Sequence, residues 1–154
     1  KGIAIGAGMS CAQVPGANGG LDTNYEGKAQ AAVDALLKEG YEFAYIHVEA
    51  PDEMGHQGSA ARKVKAIENI DRQVLEPLLR RMDASGVPYR LLLLPDHPTP
   101  VRLRTHVAEP VPYLLYDSTA PQDNGWRYGE REAKASGNCV EKGWEMMRYF
   151  LQEN

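Results

Sequence analysis

Apolar residues recur along this chain at two spacings, and the spacing divides it into alternating strands and helices. Ile3 to Ile5 and Phe43 to Val48 read as short strands, the second mixing apolar, aromatic and polar positions. Between them, Ala29, Ala32, Val33, Leu36 and Leu37 fall at intervals of three and four and predict a helix that Gly40 closes. Thr23, followed three residues later by Glu26, forms a capping box at its start. Ser59 is placed to cap a second helix, with Val64, Ile67, Ile70, Val74, Leu75 and Leu78 along one face. A "GVP" turn then leads into "YRLLLLPDH", whose four consecutive leucines suit a strand covered on both faces. "VPYLLYD", Val111 to Asp117, predicts a further strand. Val140, Trp144, Met147 and Leu151 mark the face of a last helix, and Trp126 and Trp144 read as packing residues.

This alternation predicts an α/β fold, a mostly parallel sheet flanked by helices with right-handed crossovers. Composition narrows the picture. With 154 residues, 43% hydrophobic and 25% charged, the chain is long enough for one ordinary core. Its net charge of -4 leaves no basic stripe for nucleic acid or anionic lipid, so neither partner is expected. A small anionic substrate must then be held locally, by metal or by a few arginines. There is no signal-peptide pattern and no apolar run of membrane-spanning length, and Cys11 and Cys139 form no CxxC pair. A reduced, cytoplasmic setting is the expectation. The chain opens at Lys1, with "KGIAIGAGM" reading like a strand already inside a fold, so part of a longer polypeptide is expected.

The candidate chemistry lies after two of these strands. In open α/β sheets ligands sit beyond the carboxyl ends of strands. There the sequence places Asp52 and His56, in a loop after the Phe43–Val48 segment, and Asp96 and His97 after the leucine run. Pro95 and Pro98 break the extended geometry around the second pair. His106 follows in the next loop. Carboxylate oxygen combined with imidazole suits Mn²⁺, Zn²⁺, Co²⁺ or Fe²⁺ better than Ca²⁺. The layout supports two-metal phosphoryl or sulfuryl transfer. Taken singly, Asp52 after Pro51 is also an ordinary turn residue and His56 an ordinary loop histidine; His47, within its strand, reads as structural or supporting. Arg102 and Arg104 flank the second loop as candidate cations for an anionic substrate. Asn18 and Thr23, in and after the Gly-rich stretch "VPGANGGLD", stand near a helix start where N–H groups can meet an anion.

The segments "APDEMGHQG", "LPDHPTP" and "THVAEPVP", in this order, resemble the metal-binding segments of the alkaline phosphatase superfamily. The flanking "VPGANGGLDTNYEGKA" and "YGEREAKASGNCVEKGWEMM" are similar to cofactor-independent phosphoglycerate mutases of the archaeal type. The resemblance covers nearly the whole chain. It implies that residues 1–154 are the carboxyl-terminal portion of an alkaline phosphatase-like catalytic domain. It implies two divalent ions, Mn²⁺ foremost with Mg²⁺, Co²⁺ or Zn²⁺ as alternatives, and no 2,3-bisphosphoglycerate cofactor. Asp52, His56 and His106 would bind one ion, and Asp96 and His97 the other. The implied reaction is glycolytic, interconverting 2- and 3-phosphoglycerate through a phosphoserine.

The family's nucleophilic serine and a further aspartate ligand lie ahead of everything matched here. Ser10, in "GMSCAQ", has no acidic ligand before it and reads as structural. The expectation is therefore a chain that binds metal and turns over little substrate. Alternatives of the same superfamily are a phosphatase or phosphodiesterase and a homoserine kinase-like phosphotransferase; a non-catalytic domain is the third. Five costly polar ligands argue against that last reading, since without an ion they have no structural purpose.

Overall fold

The computed structural model describes residues 2–151. It divides into two units. The first comprises the described residues up to Gly86 together with Pro100–Thr105, the second Val87–Thr99 and the described residues from His106 on.

In the first unit, α1 spans Gly2–Gly6, α2 Tyr25–Lys38, α3 Ala50–His56 and α4 Ala60–Ile70; a π-helical stretch, Asp71–Leu75, then leads into α5, Glu76–Ser85. The periodicity of α2 translates directly into packing. Its Tyr25, Ala29, Ala32 and Val33 are buried, and it packs on the π stretch and α5, which contribute Val74, Leu78 and Met82. Gly40, at φ +77°, ends the helix in the left-handed conformation, with Tyr41 N–H donating to the Ala35 carbonyl (3.1 Å). The π stretch has a local cause. Pro77 offers no N–H to the carbonyl four residues back and its ring crowds that carbonyl, and the helix widens just before it, where Glu76 N–H donates to Asp71.

Several expectations are corrected here. Ile3 to Ile5 lies in helix α1, and Ile3 is 92% exposed. Phe43 to Val48 forms no strand, and the His47 carbonyl accepts from Lys28 Nζ (2.7 Å). The N-cap of α2 is Asn24, not Thr23. Asn24 Oδ1 accepts from Gly27 N–H (2.8 Å) and its Nδ2 donates to the Pro15 carbonyl (2.9 Å), while buried Thr23 Oγ1 accepts from Asn18 N–H (3.0 Å). Ser59 does precede α4, without a side-chain cap. Along α4 the buried residues are Ala66 and Asn69, and Val64 and Ile67 are exposed.

In the second unit, β1 (Arg90–Leu93) and β2 (Leu114–Asp117) confirm two of the expected strands, but they pair antiparallel, Arg90 opposite Asp117 and Leu93 opposite Leu114. A run of leucines specifies burial and extended backbone; it does not specify the direction of the partner. β1 is half-buried rather than covered on both faces. Arg90 Nε donates to Asp117 Oδ2 (2.8 Å), and Ser118 N–H extends the pairing to the Tyr89 carbonyl (3.0 Å). Short helix α6 (Glu130–Ser136) follows, then a 3₁₀ turn (Gly143–Glu145) and α7 (Met146–Leu151). The expected final helix is thus shorter, and Met146, not Val140, Trp144, Met147 or Leu151, is its buried residue. Trp144 is 80% exposed and Trp126 is exposed as well, so neither packs in a core.

Candidate metal centre

Asp52 and His56 stand on helix α3 rather than in a loop. Pro51 occupies the first turn, where a missing N–H costs nothing, and the four-residue spacing stacks the two side chains on one face of the helix. Buried Ala50 and Met54 anchor that helix, which packs on α4. Asp52 Oδ2 lies 3.4 Å from His56 Nε2. The other ring nitrogen, Nδ1, is 2.9 Å from the carbonyl of Arg104. A carbonyl can only accept, so Nδ1 carries the proton. In a neutral imidazole Nε2 then presents a lone pair toward the Asp52 carboxylate.

The second pair follows β1. Asp96 Oδ1 accepts from the N–H of His97 (3.1 Å), while Oδ2 lies 3.5 Å from His97 Nε2. Thr99, buried, sets its hydroxyl 3.3 Å from His97 Nδ1. Val107 N–H donates to the Pro98 carbonyl (3.1 Å), closing the loop so that the His97 and His106 rings meet with centroids 3.7 Å apart. Within each unit predicted residues therefore come together: Asp52 with His56 in the first, and His97 with both Asp96 and His106 in the second.

These donor sets fit a divalent ion. Two ligand atoms each about 2.1 Å from one ion lie roughly 3–3.4 Å apart in tetrahedral or octahedral geometry; the Asp52–His56 separation matches. A histidine whose far nitrogen is tied to a carbonyl is the usual supported metal ligand.

The remaining predicted residues have other surroundings. Arg102 is exposed; Arg104 is exposed at the tip of the Pro100–Thr105 turn. Asn18 Oδ1 accepts from Gly20 N–H (2.7 Å), and its own N–H goes to Thr23, so the Gly-rich loop is held by its own side chains. Ser10 Oγ accepts from Tyr41 Oη (2.9 Å), in keeping with a structural role. Two contributors escaped the sequence reading. Thr99 was signalled only by its place two residues beyond His97, and the Arg104 carbonyl, a main-chain group, has no side-chain signature.

The family model described as the Metalloenzyme superfamily matches residues 3–140. The chain belongs to the Metalloenzyme superfamily. It is 46% identical over 138 residues to the 2,3-bisphosphoglycerate-independent phosphoglycerate mutase of Methanosarcina acetivorans, covering 90% of this chain and 34% of that one. The probable mutase of Geobacter sulfurreducens is 45% identical over 152 residues, 98% of this chain and 37% of its own length. Mutase 2 of Methanothermobacter thermautotrophicus is 49% identical over 130 residues, 84% of this chain and 31% of its own. The chain thus spans about a third of the length of these curated relatives. A solved structure, the PH0037 protein from Pyrococcus horikoshii, superposes with a TM-score of 0.83 at 27% identity, over 99% of this chain and 46% of that one. No helix among the described residues is long and apolar enough to cross a membrane.

Proposed function

We infer that this chain supplies metal ligands to a phosphoglycerate mutase, an isomerase that moves a phosphate between the 2- and 3-hydroxyls of glycerate through a phosphoserine. The observation that carries this reading is the Asp52–His56 pair, with His56 Nδ1 tied to the Arg104 carbonyl and Nε2 facing a carboxylate. The similarity to relatives that bear the mutase name supports the substrate. In this reading Asp52, His56 and His106 hold one ion, Asp96 and His97 the other, and Mn²⁺ is the leading candidate. The wider architecture is an alkaline phosphatase-like α/β domain with a mostly parallel sheet, of which residues 1–154 are the carboxyl-terminal portion, working in the cytoplasm in glycolysis.

When bound, such ions neutralise phosphate charge and favour deprotonation of an attacking hydroxyl. The chain's own part is to hold them in fixed positions. Asp52 and Asp96 bring the negative charge that offsets each ion, and the Arg104 carbonyl keeps the His56 ring from turning. Thr99 restrains the His97 ring in the same way. Arg102 and Arg104 bring cations suited to the phosphate or to the glycerate carboxylate. The serine nucleophile of the reaction is not assigned to any residue of this chain, so the chain alone is expected to bind metal and turn over little or no phosphoglycerate.

The test is a chimera in which this chain replaces the matching segment of the Methanosarcina acetivorans mutase. The expected result is interconversion of 2- and 3-phosphoglycerate that requires Mn²⁺ and is lost in Asp52→Ala. Release of inorganic phosphate from the same substrate, or from an aryl phosphate, without interconversion would point instead to a hydrolase of the superfamily.

A further inference from the structure

Among the described residues, Arg104 alone combines a side chain with a positive φ, 57°. The left-handed region crowds Cβ against the backbone carbonyl, so its neighbours must hold Arg104 there. Leu103 and Arg104 both donate their N–H groups to the Pro100 carbonyl (2.9 Å each), forming a tight turn. The Arg104 carbonyl then points at His56 Nδ1 (2.9 Å). Its guanidinium lies over Gly58, just past the end of α3, where a Cβ would collide with it. Gly58 is itself at φ +71°, with its N–H on the Gly55 carbonyl (3.0 Å). Two left-handed residues thus interlock, one at the end of the helix that carries His56 and one in the turn that faces it.

We propose that Arg104 is a positioning residue for His56: its left-handed backbone aims its carbonyl at Nδ1 and thereby fixes the Nδ1–H tautomer, leaving the Nε2 lone pair directed at Asp52. The use of that lone pair as a metal ligand rests on the function inferred above; the tautomer itself does not. The alternative tautomer would place a proton on Nε2 and remove the only lone pair on that side of the ring. What matters at position 104 is therefore the backbone conformation more than the guanidinium, and replacements should sort by their tolerance of positive φ.

The experiment is long-range ¹H–¹⁵N spectroscopy of the imidazole nitrogens in the metal-free 154-residue chain, at an alkaline pH where the nitrogen shifts themselves show the ring neutral, with His56→Gln to assign the signals. The parent should show His56 as the Nδ1–H tautomer. Arg104→Gly, free to adopt positive φ, and Arg104→Asn, which tolerates it, should keep that tautomer and a Mn²⁺ affinity close to the parent's. Arg104→Val, β-branched and opposed to positive φ, should show the Nε2–H form or a mixture, and should bind Mn²⁺ about 10- to 100-fold more weakly. Loss of a merely structural arginine would not rank the variants this way. An Nε2–H tautomer in the parent, or an unchanged tautomer in Arg104→Val, overturns the proposal. If the tautomers follow position 104 while the parent takes up no Mn²⁺, the positioning role stands and the metal assignment falls.

Discussion

His56 Nε2 and Asp52 Oδ2 face each other across 3.4 Å, one helical turn apart on α3, while the opposite nitrogen of His56 is engaged by the Arg104 carbonyl. In this orientation the carboxylate can accept from Nε2 when that nitrogen carries a proton, and the two groups can share a cation when it does not. A divalent ion turns the same orientation into two bonds. The helix that carries the pair is seven residues long, too short to persist by its own propensity, and it depends on what it buries.

Met54 is the main anchor. It is 1% exposed and lies on the turn between Asp52 and His56. Met54→Ala should destabilise the first unit by about 2–5 kcal/mol. It should also weaken Mn²⁺ binding, since the ligands lose their support. Met54→Leu, close in volume, should cost under about 1.5 kcal/mol. Urea denaturation and metal titration of the two variants check both outcomes.

Asn24 secures the start of α2 through two bonds, one to Gly27 N–H and one to the Pro15 carbonyl. Asn24→Ala should cost about 1–2 kcal/mol. Asn24→Asp keeps the cap acceptor and loses only the donor to Pro15, so it should cost less. Chemical denaturation gives the order; equal costs would mean that the cap contributes nothing.

Asp117 gives the β1–β2 pair a pH dependence. Hydrogen bonds from the Thr119 hydroxyl, from Arg90 and from the Thr119 N–H hold its carboxyl at about 2, against an ordinary 3.8. A depressed value means that the folded form prefers the ionised carboxylate, so the stabilisation is present above about pH 4 and fades as pH falls toward 2. Asp117→Asn should expose the Ser118 amide to faster hydrogen exchange at neutral pH. The deficit relative to the parent should shrink as pH approaches 2, and a deficit independent of pH would contradict the assignment.

How far the sequence led depends on the physics behind each element. The buried face of α2 was legible because a helix satisfies its own hydrogen bonds, and three- and four-residue spacing reports its buried side directly. Strands lack that independence. Ile3 to Ile5 and Phe43 to Val48 are apolar enough for strands, yet the first folds into helix α1 and the second forms no strand, since a strand depends on its pairing and not on its own residues alone. β1 and β2 were recognised, while their antiparallel pairing was not, because leucine content does not encode direction. The nearness of Asp52 to His56, and of His97 to Asp96 and His106, was anticipated from residue chemistry together with the family resemblance. Their setting was not: Pro51 in a first turn and the four-residue spacing of Asp52 and His56 were helix signals read as a loop. Arg104 was singled out for its charge, but its left-handed backbone was beyond reach, because nothing about an arginine announces that conformation.

Calorimetric titration of the chain with Mn²⁺ at neutral pH, beside Asp52→Ala and His56→Ala, tests the central claim most directly. Saturable binding by the parent and loss of roughly 100-fold or more in affinity in each variant is the predicted result. Absence of binding by the parent, or binding that neither substitution changes, would contradict it.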